Sequence, residues 1–367
     1  MTSANKLRGV NLGGWLVLEK WMTPSLFAGL NARDETGWCV ELGRDAETRL
    51  QQHWQTFITR ADFAWLAQVG INAVRIPVGY WLFAADYPYH HSFGAARHPF
   101  VGGGAEVLDR AFDWAEEFGL KVVVDLHAAP GCQNGFDNGG IQDVCEWHTQ
   151  DAYIDYSLET LERLAQRYGK RPALHGIEVL NEPRWDVDTE LLQRYTDAAY
   201  WRIRRHCPAE QVAVIFHDGF RSFREYAGFL QLPDYGNVIF DIHRYQCFVQ
   251  DDIDKDIYRH LQKVVCDWKT EADEIIGGLG LPTYVGEWSL GLDAKLAALW
   301  ADGSFDHAHT QMDDIQFDIA CRGYAAAQLA VFEKYLGWFF WSYKTEDMPQ
   351  WNFRECVERG WLPGKFA

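Results

Sequence analysis

"HGIEVLNE", residues 175–182, decides how this chain is read. An apolar, strand-like run passes straight into Asn181 and Glu182, and Pro183 then turns the chain out of regular structure. A carboxylate therefore stands where a buried strand ends. Seven other runs have the same short apolar form: "RGVNLGG" (8–14), "NAVRIPVG" (72–79), "KVVVDLHA" (121–128), "QVAVIFHD" (211–218), "NVIFDIHR" (237–244), "PTYVGEW" (282–288) and "GWFFWSYK" (337–344). Segments of helical period separate them, at 105–118, 151–168, 189–206, 253–276 and 317–335, with shorter candidates at 61–68 and 222–229. Such alternation is the pattern of an α/β fold with a parallel sheet, and eight units predict a (β/α)8 barrel of the TIM type. A doubly wound dinucleotide fold is disfavoured, because no G-x-G-x-x-G follows the first strand. No Pro- or Ser-rich linker divides the chain, so residues 1–367 read as one domain. The excess over the usual ~250 residues is placed in extended βα loops, chiefly 80–104, 129–150 and 289–316.

Composition narrows the partners. A net charge of −18 repels phosphate backbones and anionic headgroups, so no nucleic-acid partner is expected. No window reaches the ~18 apolar residues of a membrane span, so no membrane insertion is expected either. The 17 Trp, 16 Tyr and 22 Phe suit flat amphipathic ligands such as sugars. Eight scattered cysteines contain no C-x-x-C, which disfavours a zinc site. The opening "MTSANKLRGVNLGG" has no apolar signal core, and as it stands the chain is expected in the cytoplasm with reduced thiols; a secreted protein with its signal removed reads the same way.

In a barrel of this type the carboxyl ends of the strands converge on one mouth. Those ends carry Arg75, His127, Asn181, Glu182, His217, His243, Tyr245, Glu287 and Trp341. Glu182 closes the fourth strand and Glu287 the seventh, on roughly opposite walls. Two carboxylates meeting there are what glycosidic cleavage requires: one protonates the leaving oxygen, and the other attacks the anomeric carbon or activates water. Arg75 is expected to hold Glu287 ionised as the nucleophile, while Glu182, with no cation assigned to it, stays protonated as the general acid. No metal and no cofactor is expected: the first strand offers no H-x-H pair, and "HAH" at 307–309 lies in a polar loop. A non-catalytic glycan-binding barrel would keep the aromatics but gain nothing from the paired glutamates.

These residues resemble family 5 glycoside hydrolases, and within them the exo-β-1,3-glucanases of fungal cell walls. The likeness runs through "RGVNLGGWLVLEKWMTPSLF" (8–27), "VRIPVGYW" (74–81), "VVVDLHAAPGCQNGFDNGG" (122–140), "LNEP" (180–183), "DIHRYQCF" (241–248), "VGEWS" (285–289) and "GWFFWSYKTED" (337–347). It implies Glu182 as acid/base and Glu287 as nucleophile, with Arg75, Asn181, His243 and Tyr245 as further catalytic positions. His127 and Trp341 are implied as sugar contacts. Glu19, Asp137 and Asn138 fall where the group closes a pocket on terminal glucose, and Phe136 and Phe248 where it clamps the next sugar. The implied activity is a retaining β-glucosidase or exo-β-glucanase acting on β-glucosides or β-glucan oligosaccharides, β-1,3-linked for preference. Glycolipid or small-molecule glucosides, and transglycosylation, are the alternatives on the same scaffold. Segment 289–316 departs from the group and lacks the arginine expected there to help close the pocket.

Overall fold

A computed structural model of the chain describes residues 6–83, 99–253, 255–292 and 314–366. They form a closed barrel of parallel strands in sequence order. The strands are β1 (Leu7–Asn11), β2 (Ala73–Gly79), β3 (Lys121–Ala128), β4 (Leu174–Glu178), β5 (Ala213–His217), β6 (Val238–Arg244), β7 (Thr283–Trp288) and β8 (Gly337–Phe340). β1 pairs with both β2 and β8, which closes the ring and leaves no exposed sheet edge.

Several strands end earlier than their apolar runs. The first stops at Asn11, because Gly13 and Gly14 turn the chain and Gly14 takes a positive φ of 68°. Helices Gly104–Phe118, Asp151–Tyr168, Thr189–Arg204 and Asp314–Phe332 occupy the expected intervals. The expected 253–276 helix is realised as three stretches laid end to end, Ile257–Gln262, Lys263–Trp268 and Lys269–Gly278. After β5 the expected 222–229 helix shrinks to one 3-10 turn, Phe223–Tyr226, since Gly228 at φ 81° stops it. Two helices not foreseen, Glu35–Leu42 and Asp45–Thr56, fill the β1–β2 connection. The Asp34 carboxylate starts the first of them by accepting from the Gly37 amide at 2.7 Å.

The barrel interior follows the two-residue period of its strands. Its floor is apolar: Leu7, Ala73, Val123, Ala213, Ile215, Ile239, Tyr284 and Phe339 pack together. Further along the same inward phase come Asn11, Arg75, Asp125, Glu178 and Asp241, all buried. Outward-facing positions such as Val285 and Trp288 join the larger core between sheet and helices.

On β7 this alternation has to be broken. Tyr284 points inward and Val285 outward, so strict alternation would send Glu287 to the outer layer. A register irregularity between β6 and β7 prevents it: Ile242 pairs with Val285, but His243 pairs with Glu287. Gly286 is the extra residue. Its amide donates to Asp241 Oδ1 at 2.6 Å, and a Cβ there would stand 1.9 Å from Asp241 Oδ2. A bulge that only glycine fits thus re-aims the carboxylate into the barrel.

Among the described residues no helix is long and apolar enough to cross a membrane. No disulfide joins any two of the eight cysteines. The "HAH" at 307–309 and most of segment 289–316 lie outside the described residues, as does much of loop 80–104.

Candidate active site

Arg75 is the hub on which the mouth is built. Its side chain is 1% exposed and donates Nε to Glu178 Oε2 at 2.7 Å, one terminal nitrogen to Asn11 Oδ1 and Glu287 Oε1 at 2.9 Å each, and the other to Asn181 Oδ1 at 2.8 Å. Asp125 Oδ2 lies 3.0 Å from the same terminal nitrogen that bonds Asn181. Burial works against a buried cation, but Asp125, Glu178 and Glu287 together hold the guanidinium charged. One positive charge cannot serve three carboxylates equally. Burial accordingly pushes Asp125 up to about 7 and Glu178 well above the usual carboxylate range, against the pull of Arg75.

Glu182 and Glu287 converge on one imidazole. His243 Nδ1 lies 2.7 Å from Glu182 Oε1 and 3.5 Å from Glu287 Oε2. The two oxygens can be no farther apart than those distances laid end to end, which is less than the ~6.5–9.5 Å separation of inverting glycosidases. Glu182 sits just beyond β4 at φ 41°, a left-handed conformation that costs a non-glycine residue ~1 kcal/mol and marks a position held for use. Asn138 Nδ2 donates to its second oxygen at 3.2 Å, and Tyr245 donates its hydroxyl to Glu287 Oε2 at 2.8 Å.

The charges are not distributed as the sequence suggested. Burial would raise Glu182, but the hydrogen bond and charge of His243 overcome it and hold this carboxyl below its ordinary value. His243 in turn, despite burial, is raised well above an ordinary imidazole by Glu287, Asp241 and Glu182. Burial pushes Glu287 up to about 7, against the pull of His243 and Arg75. The acid expected to lack a cation has one. His243 supplies it from β6, and no pattern within "NEPRW" reports that contact.

The remaining site residues line or support a cavity of about 460 Å³ that includes Glu19, Phe136, Asn138, Glu182, Tyr245, Phe248, Glu287 and Trp341. His127 stacks on Trp341 with ring centres 5.3 Å apart and planes 6° apart, and its Nδ1 meets Asp125 Oδ2 at 2.6 Å. Burial lowers this imidazole to about 3, so it is neutral. With Nδ1–H on Asp125, its unpaired Nε2 offers a lone pair, which makes it an acceptor from a sugar hydroxyl. Asn181 Nδ2 and Glu19 Oε1 are likewise buried and unpaired within the protein. Glu19 takes a hydrogen bond from Trp21 Nε1 at 2.9 Å on its other oxygen, and burial and then Asp137 raise it well above its usual value.

Asp137 is the one implied pocket residue that does not line this cavity. It faces a neighbouring hollow of about 400 Å³ with Lys20, Trp21 and Arg33. Trp21, Trp185, Phe220 and Val249 also line the main cavity, and sequence reasoning did not single them out. Asp125, Glu178 and Asn11 were missed as well. The first two carried a signal, a carboxylate with an apolar neighbour on each side, Val124 and Leu126 for Asp125 and Ile177 and Val179 for Glu178.

Two groups of side chains offer ligand atoms within 4.8 Å of one another, Glu182–His217–His243 and Glu178–Asp241–His243. Both depend on His243, whose Nδ1 is engaged by Glu182 and whose raised basicity keeps it protonated. His217 Nδ1 already accepts from the Gly219 amide at 2.9 Å. The arrangement serves proton transfer better than metal binding.

Comparison with known proteins agrees with this geometry. Residues 40–347 match the model of the cellulases of glycosyl hydrolase family 5. A glucan 1,3-beta-glucosidase of Blumeria graminis is 36% identical over 98% of this chain and 87% of its own. One of Candida oleophila is 37% identical over 98% and 89%, and a probable glucan 1,3-beta-glucosidase A of Emericella nidulans is 37% identical over 99% and 91%. Among solved structures, the fold is similar to that of rutinosidase from Aspergillus niger, with a TM-score of 0.78 at 22% identity over 98% of both chains. The chain belongs to glycosyl hydrolase family 5.

Proposed function

We propose that this enzyme removes terminal β-glucosyl residues from β-1,3-linked glucan oligosaccharides with net retention, and that Glu287 is the nucleophile and Glu182 the acid/base. The observation that carries the reading is the approach of both carboxylates to one imidazole nitrogen, inside the separation that an inverting mechanism needs. The curated relatives, 36–37% identical along nearly the whole chain and named glucan 1,3-beta-glucosidases, support the linkage.

Glu287, held by Arg75 and Tyr245, attacks the anomeric carbon as the bond to the leaving oxygen breaks. That oxygen takes its proton from Glu182. The His243–Glu182 pair shares one proton along a 2.7 Å hydrogen bond, and its transfer to Glu182 yields the neutral imidazole and the acid needed. Water then attacks the glucosyl-enzyme, Glu182 takes its proton, and Glu287 leaves. The free amide hydrogens of Asn181 suit the sugar 2-hydroxyl, a contact that strengthens as oxocarbenium character grows.

The test is chemical rescue. Glu287→Ala with added azide is expected to yield an α-glucosyl azide from a reactive β-glucoside, because azide enters the face that the carboxylate has vacated. A β-glucosyl azide would exclude Glu287 as the nucleophile.

A further inference from the structure

Two strands end in the same short string. β3 carries Asp125-Leu126-His127 and β6 carries Asp241-Ile242-His243, each a carboxylate followed two residues later by an imidazole. The period of a strand puts both members of each pair on one face, and all four side chains are buried. The two pairs are nevertheless joined in opposite senses. Asp125 Oδ2 meets His127 at Nδ1, 2.6 Å away, which leaves Nε2 without a protein partner. Asp241 Oδ2 lies 3.6 Å from His243 Nε2, within reach of an ion pair, and Nδ1 is the nitrogen left to meet Glu182 at 2.7 Å.

Charge separates the pairs further. Asp125 shares Arg75 with Glu178 and Glu287, its Oδ2 3.0 Å from the guanidinium. Among the described residues no Lys or Arg side chain pairs with Asp241, and its charged partner is His243. Glu178 belongs to the same cluster, but its Oε2 is held by Arg75 at 2.7 Å. The second oxygen of Asp241 serves the other wall of the site: Oδ1 accepts from the amide of Gly286 at 2.6 Å, the inserted residue that turns Glu287 inward. One carboxylate thus touches the partner of the acid and the bulge beside the nucleophile.

We infer that Asp241 is a positioning residue for both catalytic glutamates at once: through His243 Nε2 it steers the imidazole whose Nδ1 supplies Glu182, and through Gly286 it fixes the direction of Glu287. Asp241 is 1% exposed and acts through these two neighbours. The inference rests on the glycosidase reading and adds no step to it. A carboxylate facing Nε2 favours the imidazolium, from which the Nδ1 proton passes to Glu182. An N–H donor in the same place favours the neutral ring, with a lone pair at Nε2.

Asp241→Asn separates the two roles, since its amide oxygen still accepts from Gly286 and its NH2 is left facing His243. The expected result is a kcat/KM on methyl β-glucoside lower by about 10²-fold, the low end of what general acid catalysis supplies. On 2,4-dinitrophenyl β-glucoside, whose leaving group needs no proton, the loss is expected to stay within about threefold. Asp241→Ala releases the bulge as well, and is expected to lose about tenfold or more on the dinitrophenyl substrate. Nitrogen-15 NMR of the histidine rings near neutral pH, assigned through His243→Gln, reads the parent enzyme and needs no folded variant of Asp241: Nε2 of His243 is expected to carry a proton. Equal losses on the two substrates in Asp241→Asn overturn the inference, as do an unimpaired Asp241→Asn, an Asp241→Ala that loses no more than Asp241→Asn on the dinitrophenyl substrate, or a bare Nε2 in the parent. A parent enzyme that turns over neither substrate would instead contradict the glycosidase reading itself.

Discussion

Glu182 and Glu287 differ less in their immediate chemistry than in what faces them, and the difference fixes how activity depends on pH. Glu287 must be anionic to attack, and burial has raised it to about 7 in the free enzyme. Below that pH it holds a proton, so kcat/KM is expected to fall about tenfold per unit on the acid side. Tyr245→Phe removes a donor to the anion and is expected to move this limb to higher pH, readable from the profiles of the two enzymes. An unmoved limb would show that Tyr245 does not steady the carboxylate. Glu182 matters in proportion to how badly the leaving group needs a proton. Glu182→Ala is expected to cost ~10²–10⁴-fold on alkyl β-glucosides and far less on 2,4-dinitrophenyl β-glucoside, whose leaving group departs unaided. Both glutamates and Arg75 could be read from the sequence, because strand-end positions and residue type were enough. The proton distribution could not, because His243 reaches Glu182 from another strand 61 positions away.

Strand β7 shows how an element can overrule its own period. The string "TYVGEW" reads as simple alternation, and only the observed register with β6 shows that Gly286 is inserted so that Glu287 faces inward. A glycine inside a strand was a hint of a bulge, though it did not say which neighbour would be turned. Gly286→Ala is expected to destabilise the protein by about 3 kcal/mol through collision with Asp241, and to lower kcat by displacing Glu287. Denaturant melts together with kinetics check this, and a variant as stable and active as the parent would remove the bulge from the account. The loops were less legible. Asp137 and Asn138 are adjacent in sequence, yet one faces the neighbouring hollow and the other bonds Glu182, a division set by the short Asp137–Gly139 turn and not by residue type.

Closure of the barrel was legible from the count of apolar runs, since parallel strands joined by helices leave few alternatives. What the runs did not announce is how many acids the folded chain must bury. Asp125, Asp137 and Glu287 all rise to about 7 through burial. An acid raised on folding contributes stability that is fully present below its unfolded pKa, near 4, and is lost as pH climbs through 7. The overall charge of −18 works in the same direction through self-repulsion. Four histidines oppose this, because His53 and His175, lowered by burial to about 4, His127, lowered to about 3, and His217, lowered well below an ordinary imidazole, stay neutral where the unfolded chain takes up protons. With Glu19, Glu35 and Glu178 also raised, the buried acids outnumber these histidines, and the melting temperature is expected to be higher near pH 5 than near pH 8, by calorimetry at constant ionic strength; a Tm that rises over this interval would mean that the neutral histidines outweigh the carboxyls. The geometry that unites fold and chemistry is the convergence of β4 and β7 on one anomeric centre, and the product records it. With methyl β-glucoside as substrate, proton NMR in the first moments of turnover reads which glucose anomer is released. Two carboxylates at this spacing predict β-glucose first, with the α form appearing only by mutarotation; α-glucose as the initial product would contradict the paired roles assigned to Glu182 and Glu287.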